Sequence, residues 1–340
     1  MVGQKMSISR GDALIARFGG VWLAPMTGVS DLPFRACAQR LGARYTATEM
    51  VASEALAAGR PDAVRRAALG DGEAPLIVQL VGAEARWVAS AAQLVEQAGA
   101  ELIDLNFGCP AKSVTGRACG SALMRDPHGA LDIVRRVIDS VAAPVSVKMR
   151  LGWDERSLNA GELAARFEEA GVAAITVHGR TRQQFYKGRA DWRAVGEVRR
   201  AISIPLIVNG DIVDTRSAQA AREQSGAAAV MIGRGAIGRP WLVAQLEAAS
   251  EGKPFAPPTG EARVEVVMTH LRDSLVFYGF PLGLMMFRKH LAAYVEAASL
   301  DEAVDRKAAR ARLCRMTDVR EIEGALRDLW CLGAVRSLAA

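Results

Sequence analysis

The stretch "IPLIVNGDIVDTRSAQAAREQSGAAAVMIG", residues 204–233, contains two short apolar runs separated by a polar, alanine-rich segment. Both runs have the length and apolar character of buried strands, whereas the segment between them has the periodicity of a helix. Each run ends in a glycine-bearing turn. This order of strand, helix and strand predicts two parallel strands of one sheet.

Six further apolar runs precede this stretch and bring the candidate strands to eight. Helical patterns separate them at a spacing of roughly 30 residues. Eight such units fit an α/β fold of the (β/α)₈ TIM-barrel class better than an open doubly wound sheet of about five or six strands. The six runs are "VWLAP" from residue 21, "RYTATEM" from 44, "PLIVQLV" from 75, "LIDLNF" from 102, "PVSVKMR" from 144 and "AAITVH" from 173.

The chain changes character after the last strand run. Residues 249–261, "ASEGKPFAPPTGE", are rich in proline and glycine and indicate a linker. Four helical patterns follow without a further strand signal, which predicts a small all-helical C-terminal bundle. The predicted division is a barrel domain at 1–248, the linker at 249–261 and a helical domain at 262–340.

Composition narrows the class of protein. The chain of 340 residues is 50% hydrophobic and 24% charged, as is usual for a soluble globular protein. It has neither an apolar stretch of membrane-spanning length nor a signal-peptide pattern near its start, so we expect a cytoplasmic protein without a membrane partner. Its five cysteines form no C-x-x-C pair, which argues against a disulfide framework and against a metal site. No feature indicates an obligate protein partner.

The charge favours a polyanionic partner. The formal net charge is +6, and the sequence pI is about 9.3. Positive residues are concentrated at 180–200, with seven Lys/Arg, and at 306–315, with five. Such clusters are typical of proteins that bind a polyanion, and a solvated charged face is the alternative.

Polar or glycine-bearing residues follow almost every predicted strand, at the face where barrels place their sites. The stretch "DLNFGCPAK", residues 104–112, puts Cys109 on the loop after a strand. From the residue type alone, Cys109 is either a small buried apolar residue or an accessible thiol. The turns "VNGDI" and "IGRGAIGRP" either hold a phosphate or only close tight turns. No G-x-G-x-x-G pattern indicates a Rossmann unit.

Seven ordered motifs carry a family resemblance that covers residues 21 to 300. The chain resembles the tRNA-dihydrouridine synthases, most closely the bacterial B type, whose tail has a motif like "FRKHLAAY" at 287–294. This resemblance implies an enzyme that uses FMN and NADPH to reduce the C5–C6 bond of D-loop uridines in tRNA. The motifs are "LAPMTGVSDLPFR", "DLNFGCPAK", "GSALMRDP", "VKMRLGW", "VHGRTRQQFYKGRADW", "IVNGDI" and "MIGRGAIGRPW".

The resemblance implies roles for individual residues. Hydride addition to uracil C6 leaves carbanion character at C5, and a thiol, whose reference pKa is about 8.5, is mostly protonated at neutral pH and can supply the proton. Cys109 is the implied acid. The implied cofactor residues are Pro25, Met26, Thr27, Gln79, Lys148, His178, Asn209, Gly210, Asp211, Gly233 and Arg234. The implied substrate residues are Asn106, Lys112, Arg150, Arg180, Arg288 and Lys289.

Two other functions are compatible with parts of the sequence. One is an FMN-dependent barrel oxidoreductase that acts on a small pyrimidine-like molecule, although the helical tail and the basic loop after the sixth strand argue against it. The other is a non-enzymatic RNA-binding protein, against which the combination of Cys109, Lys148 and His178 argues. Flavin absorbance and salt-sensitive retention of tRNA distinguish the three.

Overall fold

A computed structural model describes residues 19–70, 76–116, 118–300 and 304–332. Its eight strands are all parallel and close into a barrel in chain order, so the predicted TIM-barrel class is confirmed. Each strand lies within or beside one of the eight apolar runs. The strands are β1 (Gly20–Leu23), β2 (Tyr45–Ala52), β3 (Leu76–Val81), β4 (Leu102–Phe107), β5 (Val145–Arg150), β6 (Ala174–His178), β7 (Leu206–Asn209) and β8 (Ala229–Ile232).

Helices connect successive strands and cover the outside of the barrel. Several begin at a side-chain cap, such as Asp214, whose carboxylate accepts the Ser217 N–H over 2.7 Å. The helices of this part are α1 (Leu32–Arg40), α2 (Ser53–Ala57), α3 (Pro61–Arg66), α4 (Ala85–Gln97), α5 (Lys112–Thr115), α6 (Pro127–Ile138), α7 (Ala160–Glu169), α8 (Trp192–Ala201), α9 (Thr215–Ser225) and α10 (Leu242–Ser250).

The barrel interior has an apolar floor and a polar mouth. Trp22, Tyr45, Ile77 and Leu102 belong to one buried cluster inside the barrel. Residues alternate between the two faces of a strand, so the inward-facing positions nearer the carboxyl ends are different residues of the same strands. Several of them are buried and polar, and they form the mouth described below.

The C-terminal helices have an apolar core of their own. It includes Leu271, Phe287 and Leu326, together with Trp241 from the end of the barrel part. This confirms the predicted helical bundle, whereas the boundaries at 248 and 261 remain predictions. Residues 251–259 separate α10 from the bundle. Its helices are α11 (Gly260–Tyr278), α12 (Phe280–Glu296), α13 (Arg306–Leu313) and α14 (Val319–Arg327).

A buried polar cluster joins the bundle to the barrel. A carboxylate oxygen of Asp31 and one imidazole nitrogen each of His270 and His290 lie within 4.8 Å of one another, as the ligands of a metal ion would. The Asp31 carboxylate already accepts the Phe34 N–H over 3.1 Å and the Tyr278 O–H over 3.0 Å. Burial lowers the pKa of His270 to about 3, with Arg40 and Lys289 adding to the effect, so its imidazole is neutral at physiological pH. The positive side chains nearby disfavour a further cation here, and we assign none.

Among the described residues, no helix is both long and apolar enough to cross a bilayer.

Candidate active site

A chain of buried side-chain hydrogen bonds crosses the mouth from β5 to β2. Asp104 accepts the Ser146 O–H over 2.7 Å and the Gln79 side-chain N–H over 2.6 Å. The Gln79 side-chain oxygen then accepts an N–H of Asn106 over 2.7 Å, and the Gln79 backbone N–H donates to the Thr48 hydroxyl over 3.1 Å. A carboxylate can only accept, so Asp104 determines which end of the Gln79 amide faces Asn106.

Asp104 is the one ionisable side chain in this chain of hydrogen bonds, whose other members are Gln79, Asn106, Ser146 and Thr48. Its burial raises its pKa to about 6, although the hydrogen bonds from Gln79 and Ser146 and the charge of Lys148 act in the opposite direction. The carboxylate lies below the mouth rather than at its surface. It is therefore placed to orient neighbouring side chains.

Asn106 organises the loop that carries Cys109. Its side-chain oxygen accepts the backbone N–H groups of Gly108, over 3.1 Å, and Cys109, over 2.9 Å. From the other side, Ser121 donates its N–H and O–H to the Cys109 carbonyl over 3.1 and 2.8 Å. Gly120 adopts φ +60°, and a Cβ there would lie 2.9 Å from the same carbonyl. The half-buried Cys109 thiol is thus carried by a backbone held on both sides.

Arg150 connects the Cys109 loop to the loop after β6. Its Nε–H donates to the Gly108 carbonyl over 2.8 Å, and Nη1 donates to the carbonyls of Thr181 and Phe185 over 2.8 and 2.9 Å. The side chain is buried. These contacts give Arg150 a structural role, and its predicted contact with substrate remains a prediction.

Lys148 supplies a buried cation at the mouth. Its ammonium donates to the Asn209 side-chain oxygen over 3.1 Å, and the Asn209 amide in turn donates to the Met231 carbonyl over 2.8 Å. Burial lowers the Lys148 pKa to about 8, Arg150 contributes in the same direction, and Asp104 and Cys109 act in the opposite direction. An ammonium of this kind can stabilise negative charge that develops on a bound group.

His178 and Arg180 follow β6. Burial lowers the pKa of His178 well below its usual range, and the cations Lys148, Arg150 and Arg180 add to the effect. The His178 imidazole is therefore neutral, with its Nε2 lying 3.2 Å from a guanidinium nitrogen of Arg180. A neutral imidazole at the mouth can accept or donate one hydrogen bond to a ligand.

Arg180 is fully engaged within the protein. Its guanidinium donates to the carbonyls of Lys187 and Gly188 over 3.1 and 2.8 Å and to the Asp211 carboxylate over 2.6 Å. Asp211 also accepts the Ala190 N–H over 2.8 Å. These bonds hold the loop after β6 against the turn after β7. The predicted contact of Arg180 with substrate remains a prediction.

The glycine-rich turn after β7 lies beside the loop after β6, and the turn after β8 lies beside the β1 loop. Arg234 of the β8 turn lies 3.5 Å from Asp211 of the β7 turn. Gly210 adopts φ +116°, and a Cβ there would lie 2.8 Å from Ala190 Cβ, so this position requires glycine. A Cβ on Gly233 would lie 3.6 Å from the Met26 sulfur, which places the β8 turn next to the Pro25–Thr27 segment. The structure thus brings the predicted cofactor residues of both turns to one edge of the mouth.

Exposed and half-exposed cations surround the mouth. The Arg234 guanidinium is 57% exposed and lies 4.7 Å from the ring of the exposed Tyr186. Lys112 is exposed at the start of α5. From the helical bundle, Lys289 Nζ comes within 3.9 Å of the position of a Cβ on Gly28. These cations remain available to a ligand outside the mouth.

Arg288 differs from Lys289, its neighbour on α12. Its carbonyl faces the Cys314 thiol at 3.7 Å, and its Nε is buried without a hydrogen-bond partner among the described residues. The structure places Lys289 Nζ beside Gly28 of the β1 loop, and the predicted substrate contacts of both residues remain predictions.

Several residues of the site were not predicted from the sequence. Asp104 stands two positions before Asn106, so strand alternation already puts both on the same face. Tyr186 lies within the basic segment after β6, and Glu49 accepts the Gly28 N–H from β2. The signal for Asp104 was present, whereas Glu49 and Tyr186 become visible only through contacts between distant segments.

Comparisons with known proteins identify the family of the chain. The family described as "Dihydrouridine synthase (Dus)" matches residues 22–323. The chain belongs to the dihydrouridine synthase family. The family prediction, and with it the prediction of an enzyme, is confirmed.

Two curated relatives cover most of the chain. The chain is 50% identical over 301 residues to a Rhodobacter capsulatus protein named "Probable tRNA-dihydrouridine synthase", covering 88% of this chain and 90% of that protein. It is 41% identical over 275 residues to "tRNA-dihydrouridine synthase B" of Pseudomonas putida, covering 80% and 81%. Both matches extend beyond the barrel into the helical bundle because each spans more than 270 aligned residues.

A solved structure supports the barrel fold alone. The complex titled "2-Naphthoyl-CoA Reductase-2-Naphthoyl-CoA complex" is similar with a TM-score of 0.54 at 11% identity. The similarity covers 69% of this chain and 50% of that chain.

Proposed function

We propose that this enzyme reduces the C5–C6 bond of uridines in the D-loop of tRNA, with FMN as its cofactor and NADPH as the electron donor. The observation that carries the proposal is the position of Cys109 at the end of β4, held by Asn106 and Ser121 beside the buried Lys148. Family membership gives the reaction class. Acting on tRNA places the proposed activity in the cytoplasm.

The residues at the mouth suit a flavin mononucleotide. Lys148 offers a buried ammonium for which one hydrogen bond, to Asn209, is seen among the described residues. Arg234 and the turns at Gly210 and Gly233 provide cationic and backbone donors of the type that hold a phosphate after β7 and β8 of a barrel. Gln79, Asn209 and His178 offer neutral polar groups between them. FMN bound there would take a hydride from NADPH and pass it to C6 of the uracil.

The proposed acid is the Cys109 thiol. As C6 receives the hydride, C5 gains an electron pair and takes the proton of the Sγ–H, so that the C5–H bond forms as the S–H bond breaks. A proton from solvent then restores the thiol. The sum is uridine, NADPH and one proton giving dihydrouridine and NADP⁺. The backbone contacts of Asn106 and Ser121 keep the thiol in place for this transfer.

The charges around the mouth support a polynucleotide substrate. A uracil reaches the mouth only if its nucleotide leaves the folded tRNA, and the flanking phosphates then remain outside. Lys112 and Lys289 lie around the opening, from α5 and α12. We propose these two as contacts for tRNA phosphates, together with Arg182, Lys187 and Arg189 of the loop after β6.

The deciding experiment is position-resolved measurement of dihydrouridine in tRNA from cells that lack all such synthases, with and without this protein. New dihydrouridine at one or more D-loop positions is the expected result. If the tRNA gains none while the purified yellow protein oxidises NADPH, the proposal is wrong and a small-molecule substrate replaces tRNA. Cys109→Ala, expressed to the same level, is the matched control and should leave the tRNA unmodified.

A further inference from the structure

A cleft of about 420 Å³ lies next to the mouth and is separate from it. One wall is the end of the helical turn Gly120–Arg125 and the start of α6, and the other is the loop that follows β5. Met124, Arg125, Trp153, Asp154, Ser157 and Asn159 line it. A volume of this size accommodates one nucleotide.

Trp153 provides the aromatic surface of the cleft. The guanidinium carbons of Arg125 and Arg182 each lie 4.7 Å from its ring centroid. Arg125 is exposed, whereas Trp153 and Arg182 are half-buried. Arg125 can therefore leave the ring for a phosphate, and the indole face it covers becomes available to a base.

One side chain that lines the cleft has a polar atom without a hydrogen-bond partner in the part of the chain that the structure describes. Asn159 donates its amide to the Met124 carbonyl over 2.6 Å, but its buried Oδ1 accepts nothing. Arg182 packs on Trp153 but does not line the cleft, and its buried Nε also lacks a partner among the described residues. A ligand with both donors and acceptors, such as a nucleobase, would satisfy such groups.

The cleft shares its wall with the segment that carries Cys109. Ser121, which binds the Cys109 carbonyl, lies in the same helical turn as Arg125. Arg182 reaches the Thr115 hydroxyl of α5 at 3.5 Å, just after the Cys109 loop. An RNA strand with one nucleotide at Cys109 would therefore pass close to this cleft.

We propose that the cleft binds one nucleotide of the tRNA next to the uridine that is reduced, with its base on Trp153 and its phosphate on Arg125. This inference rests on the proposed tRNA substrate. An extruded uridine pulls its neighbours out of the regular stack, and an aromatic side chain with a cation beside it is a typical site for such a base. The site would contribute affinity for RNA and leave the reaction of the electron donor unchanged.

The test compares three single variants. Arg125→Gln removes the exposed cation, Trp153→Ala removes the ring, and Trp153→Phe keeps an aromatic face. Arg136→Gln is the matched control, because Arg136 is an exposed arginine of α6 at the end away from the mouth. Thermal unfolding and flavin absorbance establish that each variant is folded before binding is measured.

The measurements are the Kd for tRNA at several salt concentrations, the KM for NADPH, and dihydrouridine formation by the parent enzyme. We expect a Kd about 10-fold higher in Trp153→Ala, as for the loss of one stacked base. Arg125→Gln should lower the salt dependence of binding by about one phosphate contact. Trp153→Phe and Arg136→Gln should bind tRNA as the parent does.

The outcomes separate this inference from the function it rests on. Unchanged tRNA affinity in folded Arg125→Gln and Trp153→Ala overturns the nucleotide site while the parent still forms dihydrouridine. A raised KM for NADPH with unchanged tRNA affinity also overturns it and assigns the cleft to the electron donor. If the parent forms no dihydrouridine, the proposed function itself is wrong.

Discussion

The side-chain oxygen of Asn106 lies 2.9 Å from the backbone nitrogen of Cys109 and accepts its N–H. The same oxygen accepts the Gly108 N–H, while the Asn106 amide donates to Gln79. One side chain therefore joins the buried hydrogen-bond chain from Asp104 to the backbone of the proposed acid. The placement of the thiol depends on groups that never touch the substrate.

Replacing Asn106 tests this dependence. Asn106→Ala leaves the half-buried N–H groups of Gly108 and Cys109 without their acceptor, at a cost of about 1 kcal/mol for each group. We expect a lower melting temperature, and dihydrouridine formation reduced by more than 10-fold. Asn106→Asp retains the acceptor for Cys109 but places an oxygen against the Gln79 oxygen. Asn106→Asp should recover the melting temperature but not the full rate of dihydrouridine formation. Recovery of both would contradict a role for the hydrogen bonds that run from Asp104 through Gln79 to Asn106.

Cys109→Ala should separate the two halves of the reaction. The variant keeps the mouth residues that we assign to the cofactor, so it should retain flavin and oxidise NADPH at close to the parent rate. Dihydrouridine formation should fall by at least 100-fold, within the range that general acid catalysis contributes. Both rates are measured on the same preparation. Formation of dihydrouridine at the parent rate would show that another group supplies the proton.

Asp104→Asn should change how stability depends on pH. The folded-state pKa of Asp104, about 6, lies above its ordinary value of 3.8, so the folded protein holds this proton more tightly than the unfolded chain does. The tighter binding of this proton stabilises the folded protein fully below pH 4, and this stabilisation is lost as the pH rises through 6. The loss is about 3 kcal/mol at 1.36 kcal/mol per pKa unit.

The measurement for Asp104 is urea unfolding of parent and Asp104→Asn between pH 4 and pH 7. The asparagine can accept from Gln79 and donate to the Ser146 hydroxyl, so the hydrogen-bond pattern can be retained. The difference in the free energy of unfolding should shift in favour of the variant as the pH rises. A difference that does not vary with pH would show that Asp104 does not titrate in this range.

Lys148→Met should weaken the decline in the rate of dihydrouridine formation that we expect above pH 8. Because burial holds the Lys148 pKa at about 8, the parent progressively loses this ammonium above pH 8. The rate of dihydrouridine formation should then decline in the parent, since the neutral amine stabilises negative charge poorly. Lys148→Met should be slower, and its rate should decline less steeply above pH 8 than the rate of the parent. An identical decline in the variant would assign it to another group.

Arg180→Met should destabilise the protein rather than only weaken binding. The substitution leaves the Asp211 carboxylate and the carbonyls of Lys187 and Gly188 without their donor. We expect a loss of about 3 kcal/mol, as for a broken buried ion pair. Arg189→Met, an exposed arginine on the same loop, should stay within about 0.5 kcal/mol of the parent in urea unfolding. Equal effects from the two substitutions would contradict the structural role of Arg180.

The strands could be predicted because their signal is local. The run "LIDLNF" was predicted to begin at residue 102, and β4 spans Leu102–Phe107. The four helices of the tail were equally visible, since apolar periodicity and the loss of strand signals need no knowledge of contacts. The resemblance then identified the family, which the match over residues 22–323 confirms.

Contacts between distant segments could not be predicted in the same way. Arg150 and Arg180 look like free cations at strand ends, yet both are buried against backbone carbonyls. Their surroundings come from the loop after β6, whose path back over the barrel has no local sequence signal. For the same reason the tie between Asp31 and Tyr278, 247 residues apart, is visible only in the folded chain.

The parallel register of the barrel places the reactive side chains in rows. Asn106 is opposite Lys148, Arg150 is opposite His178, and His178 is opposite Asn209. Each row depends on its strand ladder, so a slip of one residue in β5 would turn both Lys148 and Arg150 away from the mouth. The strand ladders therefore fix Lys148, His178 and Asn209, whereas Cys109 depends in addition on the loop that Asn106 and Ser121 hold. Substitutions at exposed loop positions such as Lys187 can alter RNA binding without disturbing these rows.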